Sequence, residues 1–349
     1  MIRRFNALSR NGSSPGGGDF REIMKRAGLL VLLAIVAWTL PVLSAEEDEQ
    51  GRELRMAAII DDAETVERLL DAGVDVNTAS KFGKTALMFA VEEGNLQTVA
   101  LLLERGADVN LQTVAGCSAI TFAAESGQIA VSALLIERGA DLEPPTRAGW
   151  NALIIASRYG IYDMVDQLLH RGANPEPRDK EGRTALMHAA ENGHANVVAL
   201  LTDRGGDVDA KDDAGATALM IAAGGGHDEA VRVLLGKGAD IDARDMHGTT
   251  ALTWAVGEGQ ADMVEMLLGA GAGINVADEE GITPLMEAVT VRSADLVRFL
   301  LAHGADVTLE DEQGHSALWM ARKKKNRRIV DMLETAETIA VNTRQVPKN

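Results

Sequence analysis

The chain repeats one pattern of apolar and polar positions every 33 residues. In residues 182–214 a short Ala-rich segment follows Thr184, and a second segment places Val197, Leu200 and Leu201 at helical spacing on one face. Each unit carries a glycine near its start, and these glycines recur in strict register at Gly83, Gly116, Gly149, Gly182, Gly215, Gly248, Gly281 and Gly314. Each unit is therefore predicted to form two short helices joined by a tight turn.

The residues at the ends of these segments support the same interpretation. Thr184 is a good helix N-cap, and Gly193 ends the first helix because glycine reaches positive φ at little cost. One such helix pair cannot cover its own apolar face and must stack on another. We therefore predict an all-α solenoid of about nine helix pairs over residues 50–338, with a last helix through about Thr335 and a C-terminal tail at 339–349.

The unit resembles the ankyrin repeat. Thr184-Ala185-Leu186-Met187 stands where that family usually has T-P-L-H, and Thr283-Pro284-Leu285-Met286 restores the proline. Gly193-His194 matches the G-H between the two helices, and residues 205–209 match the closing G-A-D-V-N. The resemblance implies a stacked array that binds proteins with its turn tips and first helices, which line the concave side.

Residues 27–43 form the most apolar run in the chain, preceded by Met24-Lys25-Arg26 and followed by small residues up to Ala45. This arrangement is typical of a cleaved secretory signal peptide over about Met24–Ala45. For the N-terminal segment 1–45 two interpretations stay open, a true start at Met24 or an unusually long segment before the apolar run. We expect a periplasmic or secreted protein of bacterial type. The alternative is an inner-membrane anchor formed by the uncleaved segment, which is short for a span and contains Pro41.

The charge of the chain makes two classes of partner poor candidates. The whole chain carries a formal net charge of −18, and removing residues 1–45 takes away six basic and two acidic side chains, which leaves about −22. A chain this acidic repels nucleic acid and anionic membrane surfaces. We expect a protein partner, a monomer, and no stable membrane insertion after signal cleavage.

No motif in the chain indicates catalysis, a cofactor or a metal. The histidines lack a nucleophile in any recognisable arrangement, and His194 and His227 occupy the Gly-His position, where a structural role between units is expected. The Asp-rich turns, such as 207–213, recur with the unit and lack the spacing of an EF-hand. We predict a non-enzymatic protein without cofactor or metal.

The large side chains indicate where a partner would bind. With each unit's glycine counted as unit position 4, the binding surface implied by the resemblance comprises positions 2, 3, 5, 13 and 14, with position 10 partly shielded. Six of the nine aromatic residues after Ala45 fall there, and such clusters are typical of interface hot spots. Trp150 and Tyr159 are the least easily explained by packing. The predicted partner-binding residues are Phe82, Phe89, Phe122, Arg147, Trp150, Ile155, Arg158, Tyr159 and Trp254.

These observations predict a non-catalytic protein-interaction scaffold that binds its partner through the concave face and turn tips. Two alternatives stay open. The array could be an accessory or protective factor for a periplasmic enzyme, or an exported effector that acts on a host-cell protein.

Overall fold

The computed structural model describes residues 49–344, with side chains described through Ile339. This part of the chain belongs to one compact unit and contains eighteen helices and no strand. The helices are α1 Glu49–Ile59, α2 Ala63–Asp71, α3 Ala86–Glu93, α4 Leu96–Glu104, α5 Ala119–Ser126, α6 Ile129–Glu137, α7 Ala152–Arg158, α8 Tyr162–His170, α9 Ala185–Glu191, α10 Ala195–Asp203, α11 Ala218–Gly225, α12 Asp228–Gly236, α13 Ala251–Gly257, α14 Ala261–Gly269, α15 Pro284–Thr290, α16 Ala294–Ala302, α17 Ala317–Lys323 and α18 Arg327–Arg344.

The helices form nine pairs, as the sequence predicts. Within each unit the first helix packs on the second, and each first helix also packs on the first helix of the next unit. The first helices are rich in alanine, such as Ala189 and Ala190, which are fully buried and let neighbouring helices approach closely. Leu201 and Leu234 of the second helices are also fully buried. The structure is thus the predicted all-α solenoid.

The predicted helix ends are also confirmed. The side chain of Thr184 accepts a hydrogen bond from the backbone N–H of Met187 at 3.3 Å, which satisfies one of the free donors at the start of α9. Gly193 follows α9 with φ +70°, in the left-handed region that glycine adopts without strain. Arg292 and Lys325 hold the same left-handed conformation without being glycine, with φ 61° and 56°.

A ladder of side-chain hydrogen bonds joins the turns that close successive units. Asn77 Oδ1 accepts from the backbone N–H of Asp108 at 2.9 Å, and Asn110 Oδ1 accepts from that of Asp141 at 2.8 Å. Asp209 Oδ1 accepts from Asp240 in the same way at 2.9 Å. These turns therefore carry a structural role.

The last helix is longer than predicted. α18 continues to Arg344, whereas the sequence analysis ended it near Thr335. Residues 336–344 contain no glycine or proline that would stop a helix. Part of the expected tail is therefore helical.

In the described range no helix has both the length and the apolar character needed to cross a membrane. The predicted signal peptide, Met24–Ala45, lies outside the described residues, as does the rest of the N-terminal segment.

Candidate protein-interaction face

The two residues before each unit's glycine form the tip of a turn, and neighbouring tips touch through their backbones. The backbone N–H of Val114 donates to the carbonyl of Phe82 at 2.8 Å, and that of Arg147 donates to Ala115 at 2.8 Å. The glycine is required by this close approach. A Cβ atom on Gly149 would lie 2.7 Å from the backbone nitrogen of Lys180. The tips therefore form a row with fixed spacing.

The first residue of each unit shapes the tip. In the earlier units a hydroxyl does so, as where Thr146 Oγ1 accepts from the backbone N–H of Trp150 at 3.2 Å. From the unit of Gly182 onward, the residue three positions before the glycine is an aspartate. Asp179 Oδ1 accepts from the backbone N–H groups of Glu181 and Arg183, at 3.0 and 2.8 Å. Its second oxygen, Oδ2, is left free to bind a side chain.

Two of the predicted binding residues are large, apolar and well exposed. Phe82 lies at a tip with 64% of its surface exposed, and Tyr159 lies at the end of α7 with 51% exposed. Arg147 is exposed at the tip of the same unit as Tyr159. These three side chains are available to a partner.

Ile155 does not belong to the face. Only 6% of its surface is exposed, because unit position 10 on α7 faces the neighbouring first helices, and its side chain is part of the core. Ile155 was predicted to bind a partner, and its burial contradicts that prediction.

Trp150 is better explained by packing than the sequence suggested. Its ring is half-buried and packs against the core, and its Nε1 donates to Asp179 Oδ2 at 3.3 Å. The ring of His188 meets it edge-on, with 5.6 Å between ring centroids. The guanidinium of Arg158 also contacts Trp150, 5.2 Å from the centroid of its ring. Trp150 thus fixes the junction between two units, and only part of its ring can touch a partner.

His188 and Asp179 form a buried pair next to Trp150. His188 Nε2 lies 2.8 Å from Asp179 Oδ2, and burial lowers the pKa of His188 although the carboxylates of Asp179 and Glu191 oppose that shift. Both Asp179 oxygens already accept other hydrogen bonds, so Nε2 carries the proton of the neutral ring. His188 Nδ1 is buried without a hydrogen-bond partner, 3.8 Å from Glu191 Oε2.

Glu191 lies between the buried His188 and two arginines nearer the surface. Its carboxylate lies 3.0 Å from the guanidinium of Arg183 and 3.4 Å from that of Arg158. The result is a network at the centre of the face, in which Arg158 also lies over Trp150. Sequence reasoning included Trp150 and Arg158 but missed their buried partners, Asp179, His188 and Glu191.

The other predicted aromatic residues are also half-buried. The ammonium group of Lys84 lies 4.3 Å from the ring centroids of both Phe89 and Phe122, and it pairs with Glu92. Trp254 Nε1 donates to Asp245 Oδ2 at 3.1 Å. Asp245 and Trp254 thus use the same spacing of nine residues as Asp179 and His188, a periodic signal that the sequence did contain.

The histidines of the Gly-His position have the structural role predicted for them. His194 Nε2 lies 3.0 Å from the carbonyl oxygen of Arg158, and His227 Nε2 lies 2.8 Å from that of Glu191. Each ring therefore joins the end of the preceding unit's first helix to its own turn. Across residues 49–344 no group of three or more potential ligands is arranged to hold a metal ion.

Comparison with protein families gives one family, described as ankyrin repeats in three copies. Its model matches overlapping segments at residues 33–113, 54–146, 110–179, 153–245, 204–278 and 252–345. The comparison with curated proteins gives no match. The matched segments span most of the chain and together include all the described helices, and the chain belongs to the ankyrin-repeat family.

Proposed function

We propose that the chain is a non-catalytic scaffold that binds a protein partner through its tips and first helices. Ankyrin repeats generally mediate protein–protein interaction. The observation that carries the proposal is the exposure of Phe82 and Tyr159 on one face, beside a rigid network that holds Trp150 and Arg158 in place. Exposed aromatic side chains on a preorganised support are typical of interface hot spots.

We also propose that the protein is exported and binds its partner outside the cytoplasm. The support is the sequence of residues 24–45, with basic residues, an apolar segment and a small residue at the expected cleavage point. Fractionation of cells that express the natural precursor, with N-terminal sequencing of the product, tests this part. A protein that begins near Glu46 in the periplasm or medium agrees with it, and a full-length protein in the cytoplasm contradicts it.

Two tyrosines of the same unit give a matched test of the binding face. Tyr159 ends the first helix, α7, and Tyr162 begins the second helix, α8, and both are exposed, at 51% and 41%. Neither Tyr159→Glu nor Tyr162→Glu removes a buried side chain, so both variants are expected to fold. Each is used as bait against an envelope extract beside the unmodified protein.

The proposal predicts that a retained partner is lost from the Tyr159→Glu bait and kept by the Tyr162→Glu bait. A hot-spot residue contributes about 2 kcal/mol or more, which is a loss of about thirtyfold in affinity. Equal recovery on all three baits would place the binding site elsewhere.

A further inference from the structure

The row of tips carries opposite charges at its two ends. Over the four tips from residue 81 to residue 181 the charged side chains are Lys81, Arg147, Lys180 and Glu181. Over the four tips from residue 213 to residue 313 they are Asp213, Glu279, Glu280 and Glu312, with no lysine or arginine. The first half of the row is therefore cationic on an otherwise acidic protein.

The three tip cations are exposed and form no ion pair with any described residue. Several cations at the ends of the second helices differ, because they pair with carboxylates of the preceding unit, while Arg232 and Arg298 pair within their own helices. Arg105 lies 2.8 Å from Asp71, and Arg204 lies 2.5 Å from Asp166. The Lys81 ammonium lies 5.0 Å from the ring centroid of Phe82, and Lys81, Arg147 and Lys180 have no carboxylate partner among the described residues.

Two apolar side chains lie in the same half of the row. Phe82 and Val114 are 64% and 53% exposed at neighbouring tips, and the hydrogen bond from Val114 N–H to the Phe82 carbonyl joins those tips. The cationic half therefore offers, in order, a cation beside Phe82, an apolar tip, and two further cations.

The spacing of the tips suits one backbone conformation. Packed helices lie about 8–10 Å apart, and the tips repeat with the helices. A polyproline II segment returns a side chain to the same side every third residue, after about 9 Å. A β-strand, with its period of two residues, places every third side chain on alternating sides.

We propose that the cationic half of the tip row, Lys81 to Lys180, binds an acidic segment of a partner protein in the polyproline II conformation. Every third residue of the segment faces the row. A carboxylate meets Lys81, an apolar residue three positions later packs on Phe82 and Val114, and carboxylates six and nine positions later meet Arg147 and Lys180. This inference rests on the proposed function and specifies the chemistry of the partner at the tips.

A synthetic peptide, Asp-Pro-Pro-Leu-Pro-Pro-Asp-Pro-Pro-Asp, tests the proposal directly. Its binding to the full-length protein is measured by calorimetry at low and at physiological ionic strength. A scrambled peptide, Asp-Asp-Asp-Leu followed by six prolines, has the same composition but brings the aspartates together, so that no two of them are three residues apart. A third peptide replaces each aspartate with lysine.

The charge-reversal variant Lys81→Glu/Arg147→Glu/Lys180→Glu removes the proposed site. The control variant Arg138→Glu/Arg232→Glu/Arg298→Glu changes the net charge equally at exposed positions of the second-helix layer. Circular dichroism and the urea midpoint establish that both variants are folded before binding is compared.

We expect the periodic acidic peptide to bind the unmodified protein and the control variant, with an affinity that falls as salt rises. Its affinity for the charge-reversal variant, and the affinity of the scrambled peptide for the unmodified protein, should both be at least tenfold lower. The proposal is overturned if no acidic peptide binds, if the scrambled peptide or the lysine peptide binds as well, or if both variants respond alike. If this proposal fails while partner capture is still lost in the Tyr159→Glu bait, the proposed function stands. If the peptide binds as expected but Tyr159→Glu does not affect partner capture, only the role of Tyr159 in the proposed function is overturned.

Discussion

His188 Nε2 lies 2.8 Å from Asp179 Oδ2, and both side chains are at most 3% exposed. This pair joins the turn of one unit to its first helix, while Trp150 reaches Asp179 from the preceding unit. The centre of the proposed interaction face is thus built on a buried titratable group, which gives it a pH dependence.

Acid is expected to weaken the array at His188. Burial lowers the pKa of His188 in the folded protein, so the unfolded chain takes up a proton first as the pH falls through about 6.5. The contribution of neutral His188 to the free energy of unfolding is therefore present above this pH and is lost as the pH falls below it. His188→Gln keeps an N–H donor for Asp179 and does not titrate. We expect the difference in unfolding free energy between the two proteins to shift in favour of the variant from pH 7.5 to pH 5, as measured by urea denaturation. Parallel pH profiles would contradict this.

Glu287 is expected to destabilise the folded protein at neutral pH. Burial raises its pKa, and Asp278 adds to the effect, while Lys324 opposes it. The folded protein therefore holds this proton more tightly than the unfolded chain, and stability is lost as the pH rises through about 4.3 and then through the folded pKa. Glu287→Gln should raise the urea midpoint at pH 7 and lose that advantage near pH 4. Glu265→Gln, at an exposed position of α14, serves as the control and should have little effect.

The left-handed residues after α15 and α17 are sites for stabilisation. Arg292 and Lys325 adopt φ 61° and 56°, where a Cβ atom is strained by about 1 kcal/mol or more. Arg292→Gly and Lys325→Gly should each stabilise the protein by about 0.5–1 kcal/mol, after allowance for the freer unfolded chain. Asp61 has φ 59° as well, but its Oδ1 accepts from Thr98 Oγ1 at 2.7 Å. Asp61→Gly should therefore bring no gain, and a gain as large as that at Arg292 would show that strain is not the cause.

Trp150 and Tyr159 should separate stability from binding. Trp150 packs on the core and hydrogen-bonds to Asp179, so Trp150→Ala is expected to cost about 2 kcal/mol of unfolding free energy. Tyr159 is exposed, and Tyr159→Ala should change stability by less than about 0.5 kcal/mol. Thermal and urea unfolding of the two variants checks this. Similar losses in both would mean that Tyr159 is held by contacts its exposure does not suggest.

The fold could be predicted from the sequence because its determinants are local and repeated. Thr184, Gly193 and the Leu200–Leu201 step each act within one unit, and the stacking of units follows from their apolar faces. The last helix was predicted too short because nothing between Thr335 and Arg344 marks an end or requires one.

The interaction face was less predictable because its contacts cross between units. Trp150 meets a carboxylate 29 residues away. Ile155 in α7 and Tyr159 directly after it differ in exposure because only Ile155 faces the neighbouring helices. The type and unit position of each residue indicated whether it belongs to the interaction face. How deeply its side chain is buried depended on the side chains of the adjacent units. His188 was overlooked although its partner, Asp179, lies only nine residues before it in the same unit.

Site-specific photocrosslinking in living cells is the most direct test of the central claim. A benzoylphenylalanine replaces either Phe82 or Tyr159 on the tip and first-helix side, or either Leu96 or Tyr162 at the start of a second helix; all four native side chains are exposed. The account predicts that one partner protein is captured from positions 82 and 159 and not from positions 96 and 162. Capture from the second-helix positions alone, or equal capture from all four, would contradict it.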